Sequence, residues 1–227
     1  MKKGAYLLFA ILAITMLGGS AFAQILPPIL PCLSPGDCSY YFVTYYSNAN
    51  TTGAPDATLR IINDGASGGV EVEGTNPGGY MWADIYVFDD SEELQDCCSC
   101  YITSDGLLSE SVNKQLVNPA IELTGRAEIN RGVIKIVSDY DGNPTNIVPF
   151  ASLRGWMTHV QATSTTVGAT TPFPSVGKSP FYVSEDLLAD SNLSVSEAEA
   201  LDESCSLAIT LGSGYGVCSC TLEDHDF

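Results

Sequence analysis

From Thr58 onward, short apolar segments alternate with turn signals at strand-like spacing: Thr58 to Ile62, Gly69 to Val72, Trp82 to Phe88, Leu94 to Ile102, Gly106 to Val112, Gly132 to Ser138 and Ser152 to Val160. Asn63-Asp64-Gly65, Asn76-Pro77-Gly78-Gly79 and Asp141-Gly142-Asn143-Pro144 punctuate them, and Asp89-Asp90-Ser91-Glu92-Glu93 joins two strands as a hairpin. The pattern predicts a mainly all-β chain folded as an antiparallel β-sandwich. Upstream, Tyr40-Tyr41-Phe42-Val43-Thr44-Tyr45-Tyr46 has the aromatic and β-branched content of another strand, with a polar linker, Ser47 to Pro55, behind it. Near the other end, Ser194-Val195-Ser196-Glu197 is a capping box. Ala198, Leu201, Cys205 and Ala208 follow on one helical face, which places Cys205 toward the core. A glycine-rich turn, Gly212 to Gly216, then leads into a last strand bearing Cys218 and Cys220.

The first residues change the chemistry expected of the rest. Met1-Lys2-Lys3, an apolar run from Ala5 to Leu17 and Ala21-Phe22-Ala23 read as a signal peptide over residues 1–23, with the mature chain starting at Gln24. The run is short of the ~20 apolar residues of a membrane helix, so no membrane span is expected after cleavage. Residues 24–54 are read as a proline-rich arm, carrying Pro27, Pro28, Pro31 and Pro35, followed by the aromatic strand and linker; residues 55–227 are read as the sandwich domain. Of the 9 basic residues, 7 remain without Lys2 and Lys3, against 27 acidic ones, a formal charge of −20. A surface this negative repels phosphate backbones and excludes nucleic acid as a partner.

Export also bears on the thiols. All eight cysteines, Cys32, Cys38, Cys97, Cys98, Cys100, Cys205, Cys218 and Cys220, lie in the mature part. In an oxidising compartment they are expected as disulfides, in one of 105 pairings. Strand alternation puts Cys98 and Cys100 on the inward face with Leu94 and Ile102, and Cys97 on the other; Cys218 and Cys220 likewise share a face. Two such Cys-x-Cys strands would also present four thiolates to zinc or copper(I), so Cys98, Cys100, Cys218 and Cys220 form the alternative, a metal site. A redox-catalytic role is not expected of them.

The remaining candidates read as structural. His159 shares an alternating face with Leu153 and Met157, a core or edge histidine, with a hydrolase base as the lesser alternative; His225 falls in an acidic tail. There is no Gly-x-Ser-x-Gly elbow, phosphate loop or zinc-binding helix, and no cofactor is implied. Asp139-Tyr140-Asp141-Gly142-Asn143 has the outline of a calcium loop but lacks a third acidic ligand and the distant glutamate, and is read as a hairpin turn. The arm and aromatic strand, with Tyr40, Tyr41, Phe42, Tyr45 and Tyr46, either pair within their own sheet or add to the open edge of a neighbour.

Taken together, "TLRIIND" (Thr58 to Asp64), "ADIYVFDDSEELQDCCSCYIT" (Ala83 to Thr103), "GVIKIVS" (Gly132 to Ser138), "LRGWMTHVQ" (Leu153 to Gln161) and "CSLAITLGSGYGVCSC" (Cys205 to Cys220) resemble a group of exported bacterial proteins with a Cys-Cys-x-Cys hairpin strand and a closing Gly-Ser-Gly-x-Gly-x-Cys-x-Cys. The resemblance covers most of residues 58–220 but not the arm. It implies bacterial origin, export, and a joint role for Cys97, Cys98, Cys100, Cys205, Cys218 and Cys220; it implies no activity and no catalytic residue. The expectation is a non-enzymatic acidic protein, secreted or periplasmic, serving the cell surface or extracellular matrix through protein contacts, including with itself as a fibre subunit.

Overall fold

A computed structural model describes residues 40–63, 79–117, 129–150, 153–163, 180–210, 218 and 220. All of them belong to one compact unit, Pro31–Phe227. The signal peptide, the arm with Cys32 and Cys38, the segment Gly69 to Val72, the Gly212 to Gly216 turn and His225 lie outside the described residues.

Among the described residues, eight strands form two four-stranded antiparallel sheets. They are β1 (Tyr41–Ser47), β2 (Thr58–Asn63), β3 (Met81–Asp89), β4 (Leu94–Ile102), β5 (Leu107–Ser111), β6 (Arg131–Asp139), β7 (Leu153–Ala162) and β8 (Phe181–Leu187). Sheet A runs β1-β6-β3-β4 and sheet B runs β5-β2-β7-β8, and neither closes on itself. The fold is thus the β-sandwich its periodicity implies. β1, grouped in sequence with the arm, is an integral strand of sheet A, with Phe42 opposite Ile136 and Thr44 opposite Ile134.

Alternation decides what fills the space between the sheets. Phe42 and Tyr46 of β1, Ile134 and Ile136 of β6, Met81, Ala83, Ile85 and Val87 of β3, and Cys98, Cys100 and Ile102 of β4 meet Leu59, Ile61, Leu108, Leu153, Met157 and Val160 of sheet B. β3 is buried on its other face as well, where Asp84 and Tyr86 are both fully inaccessible. A third layer covers them: helix α1 (Val195–Thr210) and the loop after β6. Ser194 caps α1, its Oγ accepting the Glu197 amide at 3.1 Å. The reciprocal half of the capping box is absent, because Glu197 reaches across to sheet A, where its carboxylate accepts from Lys135 Nζ at 2.5 Å and Tyr41 OH at 3.1 Å.

Three details differ from the sequence reading. Buried Ala198, Leu201, Cys205 and Ala208 do share one helical face, but that face packs on the outside of sheet A, not against the core between the sheets. The Gly106 to Val112 segment yields only β5 before a π-helical turn, Val112–Val117. β8 was not anticipated: it is mostly exposed and carries Glu185 and Asp186, so it has no buried alternation to read.

Candidate functional site

β4 is the last strand of sheet A, and its cysteines look both ways. Cys97 points outward and is bonded to Cys205 of α1; Cys98 and Cys100 point inward and are bonded to Cys218 and Cys220. The Cα–Cα separations of 5.9, 5.3 and 5.5 Å fall in the range a disulfide spans. No strand is assigned at Cys218 or Cys220. Sulfurs of Cys98, Cys100 and Cys220 lie within 4.8 Å of one another, the spacing of a metal cluster, yet each is half of a disulfide and offers no thiolate. No described cysteine is free.

Below the bulge in the β3–β4 ladder, Asp96 is wholly buried, and burial pushes its carboxyl up to about 8. Three more carboxyls gather on the outer face of sheet A. Asp84 of β3 and Asp139 of β6 are diagonal neighbours, opposite Val137 and Trp82 respectively. Asp84 Oδ1 accepts from Ser99, while buried Oδ2 has no hydrogen-bond partner among the described residues. Asp139 organises the following loop: Oδ2 accepts the amides of Asp141 (3.0 Å) and Gly142 (2.7 Å), and Oδ1 that of Val148. Asp202 of α1 takes the next amide back, Ile147, at 3.1 Å. Burial, then the neighbouring Asp139 charge, holds Asp84 well above the usual carboxylate range; burial likewise lifts Asp139 to about 7 and raises Asp202. Gly142 adopts φ 71°, and a Cβ there would collide with the Trp82 ring, so the loop closes over the cluster only with glycine at this position.

The sandwich edge near β1 holds the other candidates. Tyr40, Tyr41, Phe42 and Tyr46 are buried within the protomer, and Tyr45 is 47% exposed. The Tyr45 ring stacks on His159 at 4.1 Å, and its hydroxyl accepts from Gln161 Nε2 at 3.0 Å. Burial lowers the His159 pKa, and Asp186 Oδ2 stands 3.7 Å from Nε2, beyond a hydrogen bond. No described hydroxyl or thiol bonds to Nδ1 of the His159 ring. At the end of the sandwich, an open cleft of about 860 Å³ is lined by Asn48, Asp89, Asp90, Asn130, Arg131 and Gln161, among others.

Sequence reasoning found the cysteines and missed the carboxyl cluster. One signal existed: β3 is apolar or aromatic at nearly every position around Asp84, the mark of a strand covered on both faces.

Fold and site together define an acidic antiparallel β-sandwich with a helix riveted to its outer face. No family model matches the chain, and comparisons with curated proteins and with solved structures found no match. No helix among the described residues is long and apolar enough to cross a membrane.

Proposed function

We propose that this is an exported, non-enzymatic structural protein of the cell surface or extracellular matrix, working by contact with other proteins and first of all with copies of itself. Export is supported by the three disulfides among the described residues, bonds that persist in oxidising compartments, and by the resemblance to exported bacterial proteins.

The observation that carries the self-association is β8. Leu188 donates to Gly155 O and Pro180 O accepts from Thr163, so even-numbered residues of this strand face β7 and the odd-numbered ones turn their main-chain groups outward. Val183, Glu185 and Leu187 thus offer a strand edge that no described strand covers, flanked by exposed Tyr182. Such an edge pairs with another strand unless something prevents it. Two β8 strands side by side would bring Glu185 and Asp186 of both copies together, which like-charge repulsion disfavours. The opposite edge of the same sheet, β5, turns its one acidic residue, Glu110, inward. β8 of one copy against β5 of the next is a head-to-tail contact, and such contacts propagate into fibres.

Electron microscopy of native exported material tests this: filaments are expected, and dispersed monomers at all concentrations would overturn it. Val183→Pro removes one outward N–H while sparing the pairing with β7; it is expected to leave the monomer folded and to abolish filaments. The thiolate reading rests on the three clustered sulfurs of Cys98, Cys100 and Cys220 and applies to reduced chain alone. Exported protein carrying stoichiometric zinc or copper, with alkylatable thiols, would displace the structural reading.

A further inference from the structure

Asp139-Tyr140-Asp141-Gly142-Asn143 spaces oxygen donors at alternate positions, as calcium loops do, but by itself supplies too few carboxylates. The fold makes up the deficit from elsewhere. Asp84 rises beneath the loop from β3, and Asp202 descends on it from α1, bonded to the Ile147 amide one residue before the Val148 amide that Asp139 holds.

No described cation balances this charge. Arg131 and Lys135 stand on the same outward face of β6, and both are engaged elsewhere: Arg131 by Asp90 at 2.7 Å, Lys135 by Glu197 at 2.5 Å. Asp84 is completely buried on the sheet face it shares with Asp139, and its Oδ2 lacks a hydrogen-bond partner among the described residues. A buried carboxylate without a counter-charge is costly, and an ion taken up from outside removes that cost. All the donors are hard oxygens, which favours calcium over zinc or copper.

We propose that Asp84, Asp139, Asp141, Asn143 and Asp202 form a calcium site that joins the β6 loop and helix α1 to the outer face of sheet A. No three of these carboxylates bring their oxygens within 4.8 Å of one another, so binding requires a closing movement. Asp141, on the exposed side of the loop, is the group that turns inward. The ion would thereby fasten by coordination the same helix that Cys97–Cys205 fastens covalently.

The test is calorimetric titration of chelator-treated, disulfide-intact protein with calcium chloride. One ion per chain is expected, with a Kd of roughly 10⁻⁴ to 10⁻³ M, the range of extracellular modules. Asp141→Asn and Asp202→Asn should each weaken binding by about tenfold or more, since affinity follows ligand charge. Asp141 is exposed, so its variant folds even if the Asp202 variant does not. Glu203→Gln, exposed on the opposite face of α1, should change nothing. Terbium gives a second readout: Trp82 abuts Gly142, so excitation at the red edge, where tyrosine does not absorb, should sensitise bound terbium, and Trp82→Phe should abolish that emission while calcium binding persists. Absence of saturable binding, equal weakening by Glu203→Gln, or terbium emission surviving Trp82→Phe would each overturn the site.

Discussion

Cys97 and Cys98 are neighbours in sequence, yet they bond to partners on opposite sides of one strand. The three bridges close loops of 108, 120 and 120 residues, but their contributions cannot simply be summed. Once Cys98–Cys218 exists, Cys100 and Cys220 are already held two residues away on each side, so their bond closes a small ring and removes little further chain entropy. Cys100→Ser with Cys220→Ser should therefore cost well under the roughly 2 to 4 kcal/mol typical of a long-loop disulfide. Removing both inner pairs together should cost at least that much; denaturant midpoints of the two variants give the comparison. Asp96 adds a pH dependence. Its carboxyl rises from 3.8 to about 8 on folding, so the folded chain holds an extra proton across that interval. Its contribution is complete below the lower value and is lost as pH climbs through the upper one. Asp96→Asn, neutral at every pH, should flatten the decline in stability between pH ~5 and ~9, measured by urea unfolding.

Among the elements, α1 was legible at its start and illegible in its destination. Ser194 and Glu197 mark the cap, and Ser194→Ala should destabilise the fold by about 1 kcal/mol, read from the thermal midpoint. The buried stripe from Ala198 to Ala208 says that the helix covers something, and nothing local says what; only the Cys97–Cys205 bond and Glu197 reaching Lys135 identify the outer face of sheet A. β2, β6 and β7 were readable because one face of each is apolar and the other is not. β8 was not, since an edge strand with both faces largely in water carries no periodic signal. The carboxyl cluster was hidden for a related reason: Asp84, Asp139 and Asp202 come from three elements far apart in sequence, and the loop around Asp139 looks incomplete until the others arrive.

For the whole molecule, charge governs association. At a formal −20 without residues 1–23, copies repel one another through water, while the strand-edge contact proposed for β8 and β5 is short-ranged. Raising ionic strength screens the repulsion and leaves main-chain hydrogen bonds nearly untouched, so filament formation should increase from ~10 mM to ~150 mM salt as the screening length falls from about 30 to about 8 Å. Sedimentation across that range measures it, and assembly that weakens with salt would point to ion pairs as the contact instead.

If a single subunit were held by its two termini and stretched, the inner bridges would determine how far it can give. Tension entering at one terminus and leaving at the other would pass through β4 straight into the sulfur bonds at Cys98 and Cys100, bypassing everything between them and Cys218 and Cys220. The 120-residue span so enclosed corresponds to roughly 400 Å of stretched chain that cannot be drawn out while the bonds last. Under reducing conditions the same subunit would lengthen by that amount before breaking, turning a stiff link into a compliant one.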